Sequence, residues 1–504
     1  MPMRARGGAA SGSPARGGAA SGGTASGGTA SGGTAEGGNK RGVQQVTGSA
    51  LAMPGFAGQL VGPGDEDYDE LRAVWNAMHD RRPALIARCA TAQDVAAAIG
   101  YARAHGLLIA VRGGGHSLPG FSTCDGGLVI DLRPMNQVSV DPVTRRATAG
   151  GGALLGDLDR ATQRHGLAVP AGVISHTGVA GLTLGGGVGR LMRRFGLTID
   201  SLLAAEVVTA DGRIIRAAAD QHPDLFWAIR GGGGNFGVVT EFEFALHELS
   251  QLTVLRMYHE MTAAHRVLGR AQQVIAGGAP DELLWTSFAR KAAPLPWMPA
   301  STVGRPGIVS VLEWSGEPGP GRELLTALRD DLAPVASDLS VVPFTAMQTE
   351  GDEFFGPGLL SYVKATFAAG LSPDLIDVVT AQGQRLGSEV SQIELLSLGG
   401  AIARVAPEAT AFPHRDAGWL INIPASWRSP ADTGKEVRWV RDTFAALQPV
   451  CSGGAYVNFM DHDEQAAGQV AYGGTLRRLQ QVKAAYDPQN VFRLNQNITP
   501  RDAA

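Results

Sequence analysis

Four glycine-rich segments constrain this chain more than any other feature. They are Arg112-Gly113-Gly114-Gly115-His116-Ser117, the stretch Ala171–Gly181, Leu184-Gly185-Gly186-Gly187-Val188-Gly189, and Arg230-Gly-Gly-Gly-Gly-Asn235-Phe236-Gly237. Glycine lacks a Cβ, so successive backbone N–H groups can converge on an anion without obstruction. A pyrophosphate is the natural guest. One such run would be read as a tight turn in a β-rich protein. Four runs, the first carrying His116 directly after an apolar strand, ask for more than turns.

Common nucleotide and hydrolase signatures do not account for them. Gly232–Gly237 matches GxGxxG, but a helix is expected before it and a strand after it, the reverse of the dinucleotide-binding order. Gly434-Lys435 is followed by Glu436, so there is no phosphate-binding P-loop, and no GxSxG or HExxH occurs. Asp461-His462-Asp463-Glu464 reads as a solvated turn rather than a metal site.

Length and charge narrow the class further. At 504 residues the chain holds two or three domains. A net charge of −4 gives no footprint for nucleic acid. No run of about 20 apolar residues is present and none follows Arg4 and Arg6, so neither a membrane span nor a leader is expected, and a reducing cytoplasm is the expected compartment. Cys89, Cys124 and Cys451 are far apart and odd in number, which reads as buried reduced thiols, with no metal site. Residues 1–49 are expected to be a disordered tail. Ser-Gly-Gly-Thr-Ala repeats three times between Ser21 and Ala35, and such sequence cannot bury enough apolar surface to offset its ordering entropy.

From residue 50 on, periodicity predicts ordered elements. Tyr68–His79 reads as a helix. Pro83–Ala87, Ala92–His105 and Leu107–Val111 read as β-α-β, with Thr91 as N-cap and Gly106 past the helix end. Leu128–Leu132 is a strand. Val138–Pro142 and Arg146–Gly150 form a hairpin; Ala204–Thr209 and Ile214–Ala217 form another across Asp211-Gly212. Ala153–His165 is helical, Pro223–Arg230 makes one or two helical turns, and Val238–Leu246 alternates as a strand. Beyond residue 250 strands alternate with helices such as Arg322–Asp330 and Thr433–Leu447. A last helix carries Leu476, Leu479, Val482 and Tyr486 and stops at Asp487-Pro488.

At Val111–Ser122 (VRGGGHSLPGFS) the chain resembles the FAD-linked oxidoreductases of the vanillyl-alcohol oxidase superfamily, most closely the berberine-bridge-enzyme-like branch. The resemblance spans about Ala84–Leu246 and Gly454–Ile498. It rests on that motif together with Ala171–Leu191 (AGVISHTGVAGLTLGGGVGRL), Asp224–Thr240 (DLFWAIRGGGGNFGVVT), Tyr456–Phe459 (YVNF) and Tyr486–Ile498 (YDPQNVFRLNQNI). The implied fold is α+β: a two-subdomain PCMH-type FAD-binding domain over 50–250, and a substrate-binding domain with an antiparallel sheet backed by helices over 251–450. A C-terminal segment, 451–504, would return to the FAD domain.

The resemblance also implies residue roles. His116 would bond to the flavin 8α-methyl group. The backbone from Arg112 through Gly113, Gly114, Gly115 and His116 to Ser117 would wrap the pyrophosphate. So would the backbone from Ser175 through His176, Thr177, Gly178, Gly181, Gly185 and Gly186 to Gly187. Val238 and Val239 would lie near the adenine, and Tyr456 and Asn458 near the flavin. Relatives that tether FAD twice use a cysteine where this chain has Ile174 and a proline where it has Ser175, so a single bond through His116 is expected. Thr177 is small and leaves room for O2. The family's catalytic tyrosine position is Phe459, which cannot take a proton. Tyr456 and Glu394 are the chosen candidates for the base, with His414 and Tyr362 also considered. The expected activity is hydride transfer from a small organic substrate (an alcohol, sugar or secondary metabolite) to covalent FAD and then to O2. A dehydrogenase with another acceptor, or a non-catalytic flavin-binding protein, are the alternatives.

Overall fold

The computed structural model describes residues 52–462 and 467–501. The tail expected over 1–49 lies outside the described residues, as do Asp463 and Glu464. Within the same segment Asp461 is buried rather than solvated.

Strands β1 (Gln59–Val61), β2 (Leu85–Arg88), β3 (Ile109–Arg112) and β4 (Leu128–Asp131) form a sheet in the order β1-β2-β4-β3. β4 runs parallel to both β2 and β3. The helix Ala92–Ala104 makes the crossover between β2 and β3, as the β-α-β pattern predicts. Its start is a capping box: Thr91 Oγ1 accepts from Asp94 N, and the Asp94 carboxylate accepts from Thr91 N. Val95, Ala98, Ile99 and Ala102 on its inner face bury against Ile109, Leu128 and Ile130.

The expected helix over Tyr68–His79 ends at Arg72. Beyond it the backbone donates elsewhere, Trp75 N to Gly115 O and Ala77 N to Leu359 O. The Asn76 side-chain amide bridges Leu118 O and Ser361 O at 2.7 and 2.9 Å. Tertiary hydrogen bonds thus outcompete the helical ladder here.

The next strands are β5 (Val138–Asp141), β6 (Arg146–Gly150), β7 (Leu167–Ala168), β8 (Leu202–Val208), β9 (Ile214–Ala218), β10 (Val238–Ala245) and β11 (His247–Glu248). Five of them form an antiparallel sheet, β5-β6-β10-β8-β9, and β7 pairs with β11. Both expected hairpins are present, and Gly212 sits at φ +84° in the second. Phe242 and Phe244 point into a core shared with the helices Leu155–Gln163 and Pro223–Ala228.

Strands β12 (Gln251–Glu260), β13 (Leu283–Lys291), β14 (Pro306–Trp314), β15 (Ala336–Pro343), β16 (Leu360–Ala368), β17 (Gln392–Ser397) and β18 (Trp419–Trp427) build the third sheet. It is seven-stranded and antiparallel, ordered β15-β12-β14-β13-β17-β18-β16. One face carries Leu255, Trp285, Ile308, Leu395 and Ile423, packed against the helices Ala264–Ala276, Pro318–Leu332, Pro373–Gly383 and Thr433–Leu447. The second of these starts before the expected Arg322, with Pro318 at its first turn.

The chain then returns to its first half. Leu479, Val482 and Ile498 join the core around Phe226 and Trp227, and Phe492 joins that around Ile109. Lys483 Nζ is fully buried and donates to Asp487 Oδ2, Asn235 O and Phe492 O at 2.7, 2.7 and 2.9 Å. Asp487 also accepts from the N–H groups of Val491 and Phe492. This network locks the returning segment. Removing one member of such a buried pair costs about 3–5 kcal/mol. Gln45–Ala504 forms one compact unit. Among the described residues no helix is long and apolar enough to cross a membrane.

Candidate active site

A cavity of about 560 Å³ lies between the glycine-rich loops and the free face of the seven-stranded sheet. Its two walls are made of different material.

The first wall is backbone. Gly113, Gly114, Gly115, His116 and Ser117 line it, with Thr177, Gly178, Gly181, Val238 and Val239. Two of the runs cross in direct contact: a Cβ on Gly114 would sit 2.3 Å from Gly178 N. Gly181 and Gly234 are glycine for another reason. A Cβ at either meets nothing within 4 Å, and both line the cavity, so the missing side chain leaves space for a ligand. Asn495 and Gln496 of the returning segment close this wall, and Asn495 Oδ1 and Gln496 Nε2 are buried without a partner among the described residues. Empty glycine cradles and unpaired polar atoms fit a large polar cofactor with a diphosphate.

His116 sits in the centre of this wall. Its ring stacks on Trp75 at 5.1 Å, and its Nε2 lies 2.7 Å from His176 Nδ1. Thr177 Oγ1 is 3.5 Å from His116 Nδ1. Burial pushes the imidazole pKa down to about 3, with His176 adding to the effect. The ring is therefore neutral, the form a nucleophile needs.

Several expected wall residues turn elsewhere. The Arg112 guanidinium donates to the carbonyls of Leu71 and Ala73 and does not line the cavity. Ser175 N and Oγ both bond the Asp352 carboxylate, at 2.9 and 2.5 Å. His176 reaches the site only through His116. Gly185, Gly186 and Gly187, expected in the phosphate cradle, do not line the cavity. Gly185 N and Gly186 N donate to Thr183 O, and Gly187 N donates to the Tyr456 hydroxyl at 3.0 Å. Asn458 packs over Gly185 and lines the cavity.

The second wall is side chains on alternate strand positions. Arg256 comes from β12, Thr286, Phe288 and Arg290 from β13, and Val309, Val311 and Glu313 from β14. Ser361 and Val363 come from β16, Gln392, Glu394 and Leu396 from β17, and Asn422, Pro424 and Ser426 from β18. Glu394 stands opposite Asn422 in the β17–β18 register, and Asn422 Nδ2 donates to its Oε2 at 3.0 Å. Burial raises the Glu394 carboxyl pKa against the lowering by Asn422, Arg190 and Arg290. Arg190 pairs with Glu313. Arg256 pairs with Asp338 and Glu350, at 3.0 and 2.7 Å.

Tyr456 borders both walls. Its hydroxyl oxygen accepts from Gly187 N, Val188 N and Asn458 Nδ2 at 3.0, 3.3 and 2.9 Å. Its pKa is raised by burial, with those donors pulling the other way. These three donors tie the Tyr456 hydroxyl to the Gly187–Val188 loop and to Asn458. Phe459 stands edge-on to it at 4.9 Å.

Two of the considered residues do not reach the site. His414 stacks on Phe367 at 4.3 Å, with its Nε2 3.2 Å from Ala471 O. Tyr362 belongs to the helix-backed face of β16, 3.2 Å from Arg441 Nε, because its neighbours Ser361 and Val363 take the cavity face. The sequence reading missed Arg190, Arg290, Glu313, Gln392 and Asn422. The one available signal was the alternation Gln392-Ile393-Glu394-Leu395-Leu396. Ile174 lines the cavity, and no cysteine does among the described residues. Cys124 is buried with Tyr68 and Val129, Cys89 is buried in another core, and Cys451 is half-buried rather than buried.

Comparison with known proteins decides what this site serves. Residues 83–218 match the FAD binding domain family model, and 455–499 the berberine and berberine-like model. An uncharacterised FAD-linked oxidoreductase of Bacillus subtilis is 33% identical over 456 residues, covering 88% of this chain and 97% of its own length. The chain belongs to the berberine-bridge-enzyme-like FAD-linked oxidoreductases. The crystal structure of 6-hydroxy-D-nicotine oxidase from Arthrobacter nicotinovorans superposes with TM-score 0.79 at 31% identity, covering 90% of this chain and 100% of that one. A glucooligosaccharide oxidase from Acremonium strictum, which carries 6-S-cysteinyl, 8α-N1-histidyl FAD, gives TM-score 0.79 at 25% identity over 88% of this chain and 98% of its own. The berberine-bridge-like chain described here is thus an FAD-linked oxidoreductase with the PCMH-type α+β fold.

Proposed function

We propose that the protein is an oxidase of small organic molecules that bonds FAD covalently through His116 alone and passes electrons on to O2. The carrying observation is His116 itself: a neutral imidazole in the cavity wall, with Ile174 where a thioether would need a thiol. The Acremonium strictum oxidase supports the histidyl bond by likeness, and the oxidases among the similar structures support the reaction class.

When bound, FAD supplies the hydride acceptor. The chain supplies position and proton handling. The glycine wall leaves the volume that a diphosphate fills, and the sheet face presents the substrate. Glu394 opens on the cavity and takes the O–H or N–H proton of the substrate at its carboxylate as the adjacent C–H leaves. Burial raises its pKa, which makes its carboxylate a stronger base. Thr177 is small and leaves the flavin edge open to O2, which is reduced to hydrogen peroxide.

Acid precipitation of the purified protein tests the tether. A yellow pellet is expected, and a yellow supernatant with a white pellet overturns the covalent bond. Rapid reoxidation of the reduced protein in air-saturated buffer is the expected oxidase signature; slow reoxidation makes it a dehydrogenase.

A further inference from the structure

Three arginines from the cavity wall differ in one respect. Arg190 and Arg256 are neutralised by carboxylates, Glu313 for the first and Asp338 with Glu350 for the second. Arg290 has no hydrogen bond or ion pair among the described residues. Its guanidinium carbon stands 5.5 Å from the Phe354 ring centroid, and the side chain lines the cavity. Glu394 is close enough to act on it through space but does not bond it.

Two buried acceptors share the cavity face of the sheet with it, one beside it and one across from Glu394. Gln392 faces Arg290 in the β13–β17 register and is 3% exposed, with Oε1 unpartnered. Asn422 is 5% exposed; its Nδ2 is used by Glu394, and its Oδ1 is unpartnered. Both line the cavity. Buried polar groups are normally satisfied, and an isolated charge in an apolar site is costly. Phe288, Leu295, Trp297, Phe354 and Phe355 line the same cavity, Phe354 beside Arg290.

Resting on the oxidase reading, we propose that the substrate is a carboxylic acid with an apolar, aromatic-sized body and a nearby hydroxyl or amino group, and that Arg290 binds its carboxylate. The guanidinium fork matches a carboxylate with two parallel N–H···O bonds. The substrate's O–H or N–H proton is presented to Glu394, which Gln392 Oε1 and Asn422 Oδ1 flank as acceptors for any further hydroxyl or amino hydrogen. The aromatic box receives the apolar body. A neutral sugar would leave Arg290 unpaired, and an alkaloid cation would be repelled by it.

Mandelate and its neutral amide, mandelamide, are the probes. They are titrated calorimetrically into the anaerobic flavin-loaded protein. Mandelate is expected to bind about 30-fold more tightly than mandelamide, the scale of a charge-assisted pair. Arg290→Gln should abolish that preference and leave mandelamide unchanged, while Arg290→Lys should keep part of it. Equal binding of the two probes to the wild type, no mandelate binding at millimolar concentration, or a preference surviving in Arg290→Gln each overturn the proposal. Should Arg290→Gln fail to fold, the wild-type comparison and Arg290→Lys decide. A flavin that is released by acid or reoxidises slowly breaks the oxidase reading instead, and calorimetry still reads the Arg290 question.

Discussion

The two walls of the cavity recognise their guests by opposite means. The glycine wall works by subtraction: the missing side chains leave open space at Gly181 and Gly234, and at Gly114 and Gly178 they let two loops touch. The sheet wall works by addition, placing one side chain on every second residue of five strands, from Thr286 to Ser426. Backbone recognition demands glycine at set places and so leaves a written trace. Side-chain recognition demands only that something suitable stand at alternate positions. The first kind holds a fixed cofactor, and the second can hold whatever substrate a family member needs.

The contrast can be broken most decisively at His116. His116→Ala should leave no flavin in the acid-precipitated pellet, an all-or-none loss read by absorbance. Next comes the sheet wall. Glu394→Gln should lower the rate of anaerobic flavin reduction by about 10²–10⁴-fold with flavin content unchanged. The wild-type rate should fall as pH drops through the raised Glu394 pKa, since the working form is the carboxylate, and this acid limb should vanish in the variant; a limb that persists assigns the base elsewhere.

A smaller effect separates two kinds of glycine. Gly114→Ala forces a methyl group onto Gly178 N and should reduce both flavin content and melting temperature. Gly181→Ala has room and should keep the melting temperature while weakening flavin uptake. Equal melting temperatures for the two would mean the loops give way at their crossing. The smallest change is expected for Tyr456→Phe. Its hydroxyl serves as an acceptor for the loop, so flavin reduction should slow less than about tenfold, short of the roughly 10²–10⁴-fold that losing a general base costs. A larger drop would make Tyr456 the base.

The same contrast explains what could be read beforehand. The N-cap at Thr91, the two hairpins and the helix Thr433–Leu447 follow from local chemistry, and each stands where the pattern placed it. The segment after Arg72 did not, because its N–H groups are claimed by Gly115 and Leu359, far away in the chain. His116, Gly114 and Thr177 were legible as part of the glycine wall. Arg290, Gln392 and Asn422 were not. The strands that carry them are buried on both faces, so polar and apolar residues do not sort into an obvious pattern. Tyr362 shows the same limit from the other side: nothing local tells which of Ser361 and Tyr362 faces the cavity. Gly185–Gly187 look like a phosphate loop, yet Tyr456 and Thr183 take their N–H groups.

The returning segment imposes an order of events during synthesis. Phe492, Asn495 and Gln496 complete the glycine wall, yet they emerge from the ribosome only after the whole seven-stranded sheet has been made. The Lys483–Asp487 lock that seats them comes equally late. The nascent chain therefore has the glycine loops long before it has an enclosed pocket, and the cavity closes only after the seven-stranded sheet has been translated.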